Sequence, residues 1–287
     1  MTNNVDNDLL KLYSFESVHG TPDEKALANW LEEWFKSHSI DYTRDGDNFY
    51  KLDEVDRPIL SAHLDQVETN GKAEHFYLTE QKHIVAYNKD WERTSLGGDD
   101  KNGVWIILKA LEEFGNNINF IISAGEEVGC VGIKLLETGD ILKKIADLGK
   151  TWCIVLDRRG AKDVLESGAG TTYCKTLAQD ICNYLGDMVV TTGSVSDTAT
   201  ICEYCESVNM SVAYEAPHTA NEHTDWERLQ KIKEYVMLLC DDFVHYPTSP
   251  DVYVKKSYSY YGSTYSKKGK TNEKWKDEYD FWERNYY

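Results

Sequence analysis

Four short apolar runs in this 287-residue chain end on side chains that can bind a metal ion or move a proton, and a fifth begins on them. PILSA, residues 58–62, runs into His63-Leu64-Asp65, and Gly97-Gly98-Asp99-Asp100 stands just ahead of a long apolar stretch. INFIIS, residues 118–123, leads through Ala124-Gly125 to Glu126-Glu127; TWCIVL, residues 151–156, leads to Asp157; MSVAY, residues 210–214, is followed by His218. Each alone has an ordinary explanation: a histidine satisfied within the fold, an Asp pair complementing a helix N-terminus, an acid in a surface turn. Gathered on one rim, they are a donor set of imidazoles and carboxylates suited to a borderline-soft divalent cation. Carboxylates crowded together also need cations to offset their charge.

The elements that would gather them follow from periodicity. Leu27, Trp30, Leu31, Trp34 and Phe35 recur at helical spacing, and Thr21-Pro22-Asp23-Glu24 is a helix start, which predicts an amphipathic helix over residues 24–36. Strands are expected at 58–62, 118–123, 151–156, 187–192 and 210–214, alternating with helices over 103–114, 129–146, 173–185 closed by Gly186, 198–206 and 226–243. That alternation predicts a three-layer α/β/α architecture around a mixed, largely parallel sheet. In such sheets ligands collect at the carboxyl ends of the strands, where the residues above fall.

Composition narrows the function. A formal net charge of −18 repels phosphate backbones, which argues against nucleic acid as a partner. No apolar run reaches membrane-spanning length, and the first twenty residues lack a basic start, so the expectation is a soluble cytoplasmic protein without a membrane partner. The seven cysteines are odd in number and lie mostly in apolar segments, as reduced core thiols do; Cys202 and Cys205, the one CxxC pair, read as two residues of a helix face. Residues 246–287 differ in texture, with nine tyrosines and a charge of +2 against −20 for residues 1–245. The chain is therefore expected to divide into a catalytic domain, 1–245, and a Tyr/Lys-rich tail, 246–287, either disordered or docking on a protein partner through its aromatic side chains.

The motifs SAHLDQV, GGDDKNG, SAGEEVG, the strand ending at Asp157, GSVSDT and HTANE occur in an order that resembles the dinuclear zinc exopeptidases and deacylases of peptidase clan MH, among them peptidase T and the bacterial leucine aminopeptidases. The resemblance extends over most of residues 8–240, and LLKLYSFESVHGTPDEKALANWLEEWF looks like the first helices of that group. It implies two Zn2+ ions, or Co2+ or Mn2+ in their place, bridged by Asp99, one completed by His63 and Asp157 and the other by Glu127 and His218. It also implies a cis peptide after Asp99, with Asp100 as partner. Asp65, two residues past His63, is placed to fix that imidazole, and Glu126 is left unligated as general base. His218 is preferred to His223 as last ligand because His218-Thr-Ala-Asn-Glu222 has the group's spacing. The segment Ser196-Asp197-Thr198 reads equally as a substrate-adjacent turn and as a helix N-cap.

Relatives often insert a lid or dimerisation domain after the position of Asp157; the 36 residues from there to Ser194 leave no room for one, so a lidless form is expected. Arg158 and Arg159 are candidates to grip a substrate carboxylate. The activity implied is hydrolysis of short peptides, most simply by an aminopeptidase. Alternatives on the same centre are an N-acyl amino acid deacylase, a carboxypeptidase or a glutaminyl-cyclase-like enzyme; outside catalysis, the alternative is an inactive scaffold acting through the tail.

Overall fold

The first helix of the computed structural model, α1 (Asn7–Tyr13), is capped by Asp6, whose carboxylate accepts the amides of Asp8 and Leu9. The structure describes residues 5–148, 151–243 and 245; the tail read at 246–287 lies outside them. α2 (Pro22–Ser37) starts on Thr21 and buries Leu27, Leu31, Trp34 and Phe35 of the stripe expected from its spacing, with Ala28 beside them and Trp30 half-buried. There follow β1 (Thr43–Asp45), β2 (Asn48–Lys51), β3 (Ile59–His63), β4 (His75–Leu78), β5 (His83–Tyr87), β6 (Arg93–Thr94), α3 (Gly98–Phe114) and β7 (Asn119–Ser123). Next come α4 (Val131–Thr138), α5 (Lys143–Asp147), β8 (Trp152–Arg158), β9 (Asp163–Gly168), β10 (Thr171–Thr172), α6 (Leu177–Leu185) and β11 (Val189–Gly193). The described elements end with α7 (Thr198–Ile201), β12 (Glu206–Ser211), β13 (Tyr214–Glu215), β14 (His223–Asp225) and α8 (Trp226–Asp241).

The main sheet runs β1-β2-β7-β3-β8-β12-β9-β10, with β11 beside β9. Its centre is parallel, β7 and β8 flanking β3 and β12 following β8, while β1–β2, β2–β7, β12–β9 and β9–β10 are antiparallel. Alternation along the central strands divides the core in two. Leu60, Ala62, Phe120, Ile122, Ile154 and Leu156 pack with α1, α2, α3, α6 and α8; Ile59, Ile121, Cys153 and Val155 pack with α4, α5 and α7. Side chains of period two facing opposite ways, each set under helices, make the three layers.

Several boundaries differ from those expected. The helix over 129–146 is two, broken at Gly139-Asp140, where Asp140 takes a positive φ of 62°. The helix over 198–206 is a four-residue turn, and the strand assigned to 210–214 lies mostly earlier, as β12. The helix after Tyr173 begins at Leu177, and residues 163–172 form β9 and β10. A second sheet, β13-β14-β5-β4 with β6 on β5, was not foreseen. All seven cysteines are buried and outside any disulfide, as read from their apolar settings.

Candidate metal centre

β3 lies between β7 and β8 and runs parallel to both, so the three strands deliver their last residues to one edge. His63 is paired in register with Ser123, and Ser61 with Val155, which sets Asp157 level with His63. Asp157 thus lies inside β8 rather than after it. Asp99 comes to the same edge from the start of α3, across a cis Asp99–Asp100 peptide, as the motif resemblance implied. His218 arrives on the loop between β13 and β14.

The five side chains meet. His63 Nε2 is 3.2 Å from Asp99 Oδ1 and 3.5 Å from Asp157 Oδ1. His218 Nε2 is 2.9 Å from Glu127 Oε1 and 3.3 Å from Asp99 Oδ2. Asp99 therefore turns one oxygen to each imidazole. His63, Asp99 and Asp157 form one group with ligand atoms all within 4.8 Å, and Asp99, Glu127 and His218 form a second. His63 is 2% and Asp99 8% exposed, so this charge is held away from water. Asp99 Oδ1 has no hydrogen-bond partner despite its nearness to His63. Two imidazoles and three carboxylates gathered in a buried site, with Asp99 reaching both histidines, are a donor set that could hold divalent cations.

Neighbouring groups hold these donors in place. The Asp65 carboxylate accepts the amides of Gly125, Glu126 and Glu127 at 2.7, 2.9 and 3.0 Å. Its backbone carbonyl lies 3.0 Å from His63 Nδ1, closer than its own Oδ1 at 3.5 Å. The interaction expected between Asp65 and that imidazole is thus made chiefly by the main chain, leaving Nε2 to face Asp99 and Asp157. Asp100 accepts the His63 amide on one oxygen and the Gly103 amide on the other, both at 3.2 Å.

Glu222, which the sequence reading used only as a spacing mark, is 1% exposed and accepts the Gly97 and Asp99 amides at 2.8 and 3.1 Å, with Ser95 as a further donor. Tyr214 donates its hydroxyl to the Asp157 carbonyl at 3.3 Å. Neither role was visible in the sequence. The four-residue step from His218 to Glu222 was the available signal for the first, and Tyr214 gave none.

The electrostatics follow from this crowding. Burial pulls the imidazoles toward neutrality, yet Asp157, Asp65 and Asp99 hold His63 well above the usual histidine range, and Asp99 and Glu127 push His218 to about 12. Burial drives the Asp157 carboxyl up to about 7, and burial with the Asp99 charge raises Glu127. Burial also raises Asp99, but His218 and His63 outweigh it and hold that carboxyl well below the ordinary range. Glu126 is raised well above the usual range by burial, with Asp157 and Asp197 adding to it against the opposing charge of His63. Apart from Asp99, the crowded groups hold protons that a bound cation could displace.

The remaining candidates make other contacts. His223 is in the small sheet, its ring 4.6 Å from that of His83 and its Nδ1 beside the Asn221 carbonyl. Arg158 is engaged by Asp163 on β9, Nε to Oδ2 at 3.1 Å; Arg159 is half-buried, and its carbonyl accepts the Ser211 hydroxyl. Asp197 does not cap α7 with its side chain and takes a hydrogen bond from Ser123 instead.

No protein-family model matches the sequence, and no curated protein matches it. Solved structures do. The aminopeptidase PepT of Bacillus cereus superposes with a TM-score of 0.65 at 17% identity, over 82% of this chain and 96% of that one. The fold is that of the clan MH aminopeptidases. A tripeptidase from Staphylococcus aureus gives 0.62 at 16% identity over 81% and 97%, and the glutaminyl cyclase of Bacteroides thetaiotaomicron 0.60 at 16% over 82% and 96%. On this aminopeptidase fold, His63, Asp99, Glu127, Asp157 and His218 occupy the carboxyl edge of the parallel strands, where ligands collect in open α/β sheets. Among the described residues no helix is long and apolar enough to cross a membrane.

Proposed function

We propose that this protein is a metal-dependent exopeptidase acting on short peptides, most simply from the amino terminus. The observation that supports it is the sharing of Asp99 between two donor groups, with Glu126 in neither yet within reach of His63 and Glu127. His63 and Asp157 would hold one divalent cation, Glu127 and His218 the other, and Asp99 both, zinc being the ion these donors suit. Bound there, the cations would supply Lewis acidity toward a carbonyl oxygen and make a water acidic enough to deprotonate near neutrality.

The chain's own residues do the rest. Glu126 takes the proton of the attacking water and returns it to the leaving nitrogen. The three amides held by Asp65 fix the turn that carries both glutamates, so that adjacent residues serve different tasks. The buried setting of Glu126 raises its carboxyl, as a proton carrier working near neutral pH requires.

The peptidase neighbours favour peptides as substrates, and the glutaminyl cyclase keeps cyclisation of an amino-terminal residue as the second reading. A panel of aminoacyl-peptides, carboxy-terminally exposed peptides, N-acyl amino acids and N-terminal glutaminyl peptides separates these activities. Glu126→Ala should keep about two metals per chain and lose about 10²–10⁴-fold in turnover. Undiminished turnover with metal retained would remove Glu126 as the base.

A further inference from the structure

Glu126 also belongs to a further group of donors. Cys130 opens α4 in a left-handed conformation, φ 57°, and the turn is closed by four backbone hydrogen bonds, the Gly129 and Cys130 amides donating to the Glu126 carbonyl, that of Val131 to Gly125 and that of Gly132 to Ala124. This folds the thiol back on the glutamate four residues earlier, with Sγ 3.7 Å from Glu126 Oε1. Asp197 approaches from the start of α7, and one donor atom each from Glu126, Cys130 and Asp197 lies within 4.8 Å of the other two.

Asp197 is 2% exposed; Oδ2 accepts the Ser123 hydroxyl, while Oδ1 has no aligned hydrogen bond, the carboxylate meeting the Cys130 thiol as its other polar neighbour. A buried carboxylate oxygen left open beside a thiol and a second carboxylate is costly unless something electropositive completes it. A thiol among these donors selects for thiophilic ions of the zinc type over magnesium or calcium.

The structure assigns Glu126, Cys130 and Asp197 to a third cation site, specific for zinc-like ions, whose occupation withdraws Glu126 from proton transfer and so inhibits the enzyme when such ions are in excess. The consequence for activity rests on Glu126 being the base; the binding site itself does not. Binding forms a metal–sulfur bond as the thiol loses its proton to solvent, and the two carboxylates complete three of the four positions zinc ordinarily fills.

Cobalt gives a direct test, because the donors of the proposed dinuclear centre include no sulfur. The protein is titrated with Co2+ alone, and both stoichiometry and the near-ultraviolet thiolate-to-cobalt charge-transfer band are followed, in wild type, Cys130→Ser and Asp197→Asn. Wild type should bind one cobalt more than Cys130→Ser, with the band developing on that last ion and absent from Cys130→Ser. Asp197→Asn, which keeps the side-chain size, should need about tenfold more cobalt to reach the same band. The ratio of peptide hydrolysis with and without excess zinc should fall about tenfold or more in wild type and stay near one in Cys130→Ser.

Equal stoichiometry with no charge-transfer band in wild type overturns the site, and leaves the dinuclear reading standing if two ions bind and peptides are cleaved. The band present in a protein that cleaves no substrate of the panel overturns the exopeptidase reading, and leaves the site standing.

Discussion

One carboxylate, that of Asp65, accepts three successive amides, and its own carbonyl faces His63 Nδ1. This joins the end of β3 to the turn after β7, so a single residue sets the distance between a donor on one strand and two on the next. Burial raises the Asp65 carboxyl, but His63 and the amides more than offset it and keep it ionised, which holding three donors requires. Asp65→Asn puts an amide nitrogen where an acceptor is needed. Zinc affinity should fall about 10–100-fold in a chelator competition, and unfolding free energy by about 1–3 kcal/mol; unchanged affinity would remove Asp65 from the support of the centre. The meeting of His63 and Asp157 at one edge was legible because each directly follows an apolar run. The amide-accepting roles of Asp65 and Glu222 were not, because the amides they hold lie 60 and 125 positions away, and nothing local signals such a meeting.

At the scale of elements, the contact that decides the geometry is α3 against β8. A methyl group at Gly103 would lie 2.1 Å from the Leu156 carbonyl oxygen and 2.6 Å from Asp100 Oδ1, and neither is the end of a flexible chain free to move. Gly103→Ala should cost about 1–3 kcal/mol in urea unfolding. It should also weaken metal binding, because Asp100 holds the His63 amide. Stability within about 0.5 kcal/mol of wild type would show that α3 can shift without consequence.

Sequence patterning recovered the helices with a clean apolar stripe and the apolar central strands. It missed β12, ESVNMS, where all six residues are buried and four are polar. Asn209 is satisfied by Ser196 and by the Asp157 amide, and Ser211 by the Arg159 carbonyl, so a strand rich in polar side chains sits at the heart of the sheet. The small sheet escaped because its strands have two to five residues and no sustained alternation.

For the molecule as a whole, protonation and metal binding oppose each other. His63, His218, Asp157, Glu126 and Glu127 all hold their protons more tightly in the folded, metal-free protein than in the unfolded chain, with Asp157 near 7 and His218 near 12. Groups raised in this way contribute stability at low pH that is lost as pH rises through their folded values, whereas Asp99, held low, contributes in the opposite sense below the ordinary Asp range. Cations bound there would displace the retained protons, so their stabilisation should grow as the protons' share fades. The melting-temperature gap between zinc-loaded and chelator-treated protein should therefore widen from about pH 5.5 to about pH 8.5; a gap that narrows would contradict the assignment of the imidazoles and carboxylates as ligands. The central claim is tested most directly by anomalous diffraction from crystals carrying two equivalents of zinc. The account predicts two peaks about 3.5–4 Å apart, one bonded to His63 and Asp157, one to Glu127 and His218, and both to Asp99. Peaks elsewhere on the molecule, or a single ion that leaves His218 and Glu127 unbound, would contradict it.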